Sequence, residues 1–327
     1  MTGAGDTGRI IALCGGVGGG KLAHGLSRRV AAEDLTIIVN TGDDFEHLGL
    51  PISPDIDTVV YTLAGLANRQ LGWGREDESW AAFEELRALG GADWFQLGDR
   101  DLALHLVRRQ MRDAGHSLSE ITAHLAAHLG VGPRIVPMTD DPVRTMVATD
   151  EGVLAFQRYF VGRKCEPRVN GIAFDGVDAA RPATGVTAAF ADPDLAAVII
   201  CPSNPFLSVD PILSVPGMRS MLADTAAPVV AVTPLIGGAA VKGPTAKICD
   251  ELGVPSDPVA IATHYDGLLD GFVLDARDSA LAGRFPETCP LLVADTLMVD
   301  DARREALAGE VLDFARSLRV TGKGNAT

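Results

Sequence analysis

The residues best suited to chemistry gather near the N-terminus. Gly15-Gly-Val-Gly-Gly-Gly-Lys21 sets five glycines and a lysine directly after the apolar run Arg9–Cys14. A glycine loop between a strand and a helix lets backbone N–H groups and the positive helix end close around a phosphate with no Cβ in the way. Gly15, Gly16, Gly18, Gly19 and Lys21 are therefore candidate phosphate ligands; the alternative is a tight strand-to-helix turn with no ligand. The segment departs from the P-loop pattern G-x-x-x-x-G-K-[ST], because Leu22 stands where a Mg2+-binding hydroxyl belongs. It also departs from G-x-G-x-x-G, whose third glycine falls on Lys21.

Between Arg29 and Arg69 there is no Lys or Arg, while Glu33, Asp34, Asp43, Asp44, Glu46, Asp55 and Asp57 all fall inside, nearly half of the formal net charge of −15. Carboxylates crowded at a phosphate site would repel a diphosphate unless a hard divalent cation stands between them. Mg2+ held by one or two of Asp43, Asp44, Asp55 and Asp57 resolves that conflict. A solvated acidic rim, or Asp caps on the following helices, is the alternative.

Three further segments carry polar groups at strand ends or in loops. Ser203 and Asn204, in Cys201-Pro-Ser-Asn-Pro205, form a rigid turn able to face a ligand or simply to reverse the chain. Lys242 and Gly243 precede Pro244, a residue suited to a first helical turn, and would stand at a positive helix end. Trp73 and Trp94, with Gln96, would suit a planar heterocycle or pack the surrounding helices. His105, Arg108, Arg109 and Arg112 share a helical spacing and read as a solvated stripe.

The elements that would position these residues follow an α/β rhythm. Arg9–Cys14 and Leu35–Asn40 are continuously apolar, as strands buried on both faces are, and they flank a helix expected over 21–32. Helices are expected over 79–89 and 101–114, the latter capped by Asp99, and from the capping box Ser117-Leu-Ser-Glu120. Strands are expected over 134–138, 145–148 and 152–160, then 196–201, 228–233, 271–275 and 291–295, before a last helix over 301–316. This pattern implies a Rossmann-like, doubly wound, mainly parallel α/β sheet with a helical insertion, whose ligands bind beyond the carboxyl ends of the strands. The expected organisation is a nucleotide- and phosphate-binding core over 1–68 and 133–320, a helical insertion over 69–132 and a flexible tail over 321–327.

Length and charge set limits on the rest. At 327 residues the chain holds one large unit or two modest ones, and a sequence pI near 4.8 argues against nucleic acid or an anionic membrane as partner. Five scattered cysteines form no C-x-x-C pair, so a thiolate zinc site is not expected, and no apolar run approaches the length of a membrane span. The expectation is a soluble, cytoplasmic protein.

Taken together, these segments resemble the 2-phospho-L-lactate transferase family of coenzyme F420 biosynthesis. The matching stretches include Gly15 to Leu22, Asn40 to Asp44, Ser53 to Gly65, Gly72-Trp-Gly74 and Leu97 to Ala103. Pro137 to Pro142, Cys201 to Pro205, Val215-Pro-Gly217, Lys242-Gly-Pro244 and Ala294 to Met298 continue the match in order. The resemblance implies a homodimer that transfers a phospholactyl-type group from a guanosine diphosphate-linked donor to the terminal ribityl hydroxyl of the deazaflavin Fo, releasing GMP. It implies that Asp57 and Gln96 contact Fo and that Asp43 or Asp44, with Asp57, holds Mg2+. The glycine loop, Thr41, Asp44, Ser203, Asn204, Lys242 and Gly243 would hold phosphate and nucleotide, with Asp43 and Asp57 central to catalysis. A sugar-nucleotide-binding regulator and an NAD(P) oxidoreductase are the alternatives; Gly72-Trp-Gly74 and Leu97-Gly-Asp-Arg100 favour the transferase over the regulator, and the failed dinucleotide pattern counts against the oxidoreductase.

Overall fold

The computed structural model describes residues 8–240 and 245–321. β1 (Arg9–Cys14) is buried from Ile10 onward and runs straight into α1 (Gly16–Ser27). The helix thus starts five residues before the expected Lys21, and the glycines occupy its first turns instead of a preceding loop. Glycine is a weak helix former; here packing overrides propensity, because Leu22, Ala23 and Leu26 are wholly buried against the sheet. β2 (Leu35–Val39) returns parallel to β1, pairing Leu13 with Ile38.

A hairpin of β3 (Phe45–His47) and β4 (Leu50–Ile52) leads into α2 (Pro54–Leu63). α3 (Ala81–Ala88), α4 (Asp99–Asp113) and α5 (Leu118–His128) follow, the last opened by the expected Ser117–Glu120 capping box. Asp99 does not cap the helix that follows it. Its carboxylate accepts from the N–H groups of Ala81 (3.1 Å) and Ala82 (3.0 Å) at the start of α3. Glu78 in turn accepts from Arg100 (2.8 Å) and Asp101 (2.9 Å) at the start of α4, so the two helices exchange caps.

After β5 (Arg134–Pro137), β6 (Arg144–Thr149) pairs antiparallel with β7 (Gly152–Ala155). The second strand ends at Ala155, short of the expected Phe160, and a π-helical turn over Arg158–Gly162 buries Tyr159. β8 (Val169–Asp175), in a stretch where no element was expected, pairs with the other edge of β6 to complete a three-stranded sheet.

α6 (Thr184–Phe190), β9 (Leu195–Ile200), α7 (Asp210–Ser214), α8 (Met218–Asp224) and β10 (Val229–Val232) resume the α/β alternation. A small hairpin, β11 (Leu235–Ile236) and β12 (Ala239–Ala240), precedes α9 (Thr245–Leu252) and α10 (Pro258–His264). β13 (Gly271–Asp275), β14 (Leu291–Ala294) and α11 (Asp301–Thr321) close the chain; the helix runs past the expected Arg316, and 322–327 lie outside the described residues.

Seven parallel strands form the main sheet in the order β14-β13-β10-β9-β1-β2-β5. One hydrophobic cluster covers one face through α1, α2, α4, α5 and α11; a second covers the other through α6, α7, α8 and α10. This is the expected doubly wound arrangement. Helices α4 and α5 give Leu104, Ile121, Leu125 and Ala126 to the first cluster, so they share the core of the sheet. The strand order reverses between β1 and β9, which makes their carboxyl ends the place for a ligand. Among the described residues no helix is long and apolar enough to cross a membrane.

Candidate active site

At the switch point the chain leaves β1 through Gly15, the residue before α1. Its N–H donates to Ser203 Oγ (3.1 Å), and the same hydroxyl donates back to the Gly15 carbonyl (2.9 Å). The turn after β9 is thereby locked to the turn after β1. Gly16 has φ of +61°, a left-handed conformation that favours glycine, and a Cβ at Gly18 would overlap the Pro202 carbonyl oxygen. Gly19 lies against Ser203, so the glycines first serve close approach between two strand ends.

Four carboxylates, Asp43, Asp44, Asp55 and Asp57, stand at this edge and all are buried. They are not the solvated rim that their charge alone suggests. Asp43 and Asp44 follow β2, while Asp55 and Asp57 lie in the first turn of α2. Asp55 sits directly against Gly15, 2.6 Å from the position a Cβ would take, and accepts from Asn40 Nδ2 (2.9 Å). Burial pushes its carboxyl up to about 6, against the opposing pull of Asn40 and the Gly16 N–H. Part of the positive end of α1 therefore already faces a protein carboxylate.

Burial pushes Asp44 up to about 7, although Arg144, the Ser53 hydroxyl and Arg108 pull the other way. Asp43 is raised well above the usual carboxylate range by burial and by the charge of Asp55. Asp44 Oδ2 accepts from Ser53 Oγ (2.8 Å), but Asp43 Oδ1 and Asp44 Oδ1 have no hydrogen-bond partner. The buried hydroxyls of Thr41 and Thr145 are likewise unpartnered, the latter carried on β6 by a bond from its N–H to the Gly42 carbonyl (2.7 Å). Buried polar atoms left without partners are uncommon, and a water or an ion is one of the groups that satisfies them.

Asp57 points elsewhere. Both its oxygens accept from the guanidinium of Arg108 on α4, one of them Oδ2 from Nη1 at 3.1 Å. Nη1 of Arg108 also lies 3.3 Å from the Pro51 carbonyl and 2.9 Å from His105 Nδ1. His105 Nε2 is 3.4 Å from Asp101 Oδ1, which takes the Tyr61 hydroxyl at 2.6 Å. His105 and Arg108 are 1% and 2% exposed, so half of the expected solvated stripe is the buried floor of the site. Arg109 and Arg112 do face outward, paired with Asp113 and Glu46.

Of the expected metal ligands, Asp43 or Asp44 with Asp57, the last already accepts from Arg108 on both oxygens. Among the described residues no three His, Cys, Asp or Glu side chains gather at metal-binding spacing. The pair Asp43 and Asp44, each with a free oxygen, fits a cation such as Mg2+, which binds one or two carboxylates and completes its shell with water and phosphate oxygens.

Other expected contacts are dispersed. Lys21 donates to the Met298 carbonyl (3.2 Å), in the loop between β14 and α11. Asn204 caps its own turn, accepting from Phe206 (3.0 Å) and Leu207 (3.1 Å), and donates to Thr245 (2.9 Å). Gln96 is exposed in the segment where Leu97 packs on Leu50 and Ile52. Lys242 and Gly243 lie outside the described residues. Beside Arg108 and His105, sequence reasoning missed Asn40, Arg144 and Thr145; Asn40 alone had a signal, as the polar residue ending an apolar strand.

Comparison with known proteins places the chain in a family. A family model described as 2-phospho-L-lactate transferase CofD matches residues 10–305. A phosphoenolpyruvate transferase of Streptomyces coelicolor is 41% identical over 318 residues, covering 95% of this chain and 99% of its own. A 2-phospho-L-lactate transferase of Methanosarcina acetivorans is 40% identical over 300 residues, covering 91% and 96%. A crystal structure of a UPF0052-family protein from Bacillus halodurans shares the fold, with a TM-score of 0.54 at 17% identity over 94% of this chain and 98% of that one. With a family match across nearly the whole chain and relatives near 40% identity, the chain belongs to the 2-phospho-L-lactate transferase CofD family and is a transferase.

Proposed function

We propose that the protein transfers a phosphate-linked three-carbon acid from a guanosine diphosphate-linked donor to the terminal ribityl hydroxyl of the deazaflavin Fo, releasing GMP in coenzyme F420 biosynthesis. The acid is 2-phospholactate, phosphoenolpyruvate or 3-phosphoglycerate. Near-full-length similarity to both phosphoenolpyruvate and 2-phospho-L-lactate transferases carries this reading.

In this reaction the hydroxyl oxygen bonds to the acid-bearing phosphorus as the bond from that phosphorus to the GMP oxygen breaks, and the hydroxyl proton leaves to solvent. The phosphorus centre asks little covalent chemistry of the protein; positioning and charge stabilisation supply the rate. Asp43 Oδ1 and Asp44 Oδ1 would hold Mg2+, whose charge offsets that of the diphosphate. The first-turn N–H groups of α1 beyond Gly16, with the Thr41 and Thr145 hydroxyls, donate to phosphate oxygens. Asp57 accepts a hydrogen bond from the attacking hydroxyl.

The test is incubation with Fo, Mg2+ and each of the three guanylylated acids, weighing the deazaflavin product and assaying GMP. A mass gain with one acid, with GMP in equal amount, is expected; no gain with any of them overturns the reading.

A further inference from the structure

The buried network around Arg108 has no place among the groups that hold metal or phosphate, yet it ends on the carboxylate assigned to the acceptor. We propose that Arg108 is a positioning residue for transfer: from α4 it grips both oxygens of Asp57 and so fixes the direction from which the acceptor hydroxyl is held. The inference rests on the reading above, in which Asp57 meets the attacking hydroxyl.

The geometry is specific to arginine. A planar guanidinium matches a carboxylate with two parallel N–H bonds, whereas an ammonium offers a point charge with no fixed plane. The plane itself is pinned, because Nη1 also reaches the Pro51 carbonyl (3.3 Å) and His105 Nδ1 (2.9 Å). As acceptor at Nδ1, His105 carries its proton on Nε2, which faces Asp101 Oδ1 at 3.4 Å, and Tyr61 holds that same oxygen at 2.6 Å. With Asp57, Pro51 and His105 all around it, the buried guanidinium is held in its plane by its own three partners. Each Asp57 oxygen keeps a lone pair beyond its bond to Arg108, enough to accept from a hydroxyl without breaking the grip. The arrangement also ties α4 to the site: Asp57 comes from α2 and Arg108 from 51 residues later in the chain.

Misplacing a reacting group by about 1 Å can cost on the order of 10²-fold in rate. Arg108→Lys should therefore lower kcat roughly 100-fold while leaving the Kd for Fo, read from the fluorescence of the deazaflavin, within about threefold, with wild-type circular dichroism. Because Arg108→Met alone would strand a buried carboxylate and endanger folding, its effect is read in the double variant Asp57→Asn/Arg108→Met. A residue that acts through Asp57 has nothing left to position there, so the double variant should match Asp57→Asn alone in kcat within about twofold. Near-wild-type kcat in Arg108→Lys overturns the proposal. So does a further tenfold loss in the double variant, which would mean that Arg108 touches substrate itself. A wild-type protein that transfers nothing to Fo overturns the underlying reading instead, and that result is in hand before any variant is compared.

Discussion

Asp43 and Asp44 are carboxylates kept where charge is costly. Burial is the first cause of the upward shift in each, and neither Oδ1 has a partner. At neutral pH such a pair retains protons that a dication must displace. Calorimetric titration of Mg2+ at pH 7, in buffers of different ionisation enthalpy, should therefore show release of roughly one proton per ion bound, and less near pH 9. Binding without proton release at pH 7 would refute this pairing of ion and carboxylates. The same burial predicts opposite effects of one substitution: Asp43→Asn should melt above wild type at pH 8 without Mg2+, yet show no measurable transfer with it. The pair was legible in the sequence because it is local, two acids just beyond an apolar strand. The role of Arg108 was not, because the spacing of His105 and Arg108 says only that they share a helical face. Whether that face meets water or Asp57 is decided by how α4 packs, over a separation of 51 residues.

Helix α1 shows the same division at the scale of an element. The strand before it, the helix and the parallel return through β2 were readable from apolar runs and their spacing. The helix start was not, because consecutive glycines carry no helical preference and only contact with neighbouring turns explains them. Those contacts separate two glycines of similar appearance. A Cβ at Gly18 overlaps the Pro202 carbonyl, which cannot retreat because the adjoining Ser203 is bonded to Gly15. At Gly20 the nearest atom to a Cβ is 3.5 Å away, an ordinary contact. Gly18→Ala should therefore lose about 1–3 kcal/mol through forced overlap, while Gly20→Ala should gain about 0.5–1 kcal/mol from better helix propensity. Thermal melts of the two variants side by side decide it; equal shifts would mean that the turn is not packed as described. β8 escaped the sequence reading for a related reason. Its burial alternates poorly along Val169–Asp175, and only pairing with β6 makes it a strand.

For the whole molecule, the net charge of −15 and the buried carboxylates act in one direction. A carboxyl whose pKa is higher in the folded protein than in the unfolded chain favours folding while it is protonated. That stability is fully present below the ordinary carboxylate range near pH 4 and is lost as pH rises through about 6 for Asp55 and about 7 for Asp44. Repulsion among surface acids grows over the same interval. The metal-free protein should accordingly melt at a lower temperature at pH 8 than at pH 5. Millimolar Mg2+ should restore much of the difference at pH 8 and little at pH 5, where protons compete for the same oxygens. Sodium chloride at matched ionic strength separates the two contributions, because it screens exposed charges and leaves buried ones almost untouched. Recovery with sodium as complete as with magnesium would place the pH dependence on the surface; recovery specific to magnesium, abolished in Asp43→Asn, would place it at the strand ends where β1, β2 and β9 meet.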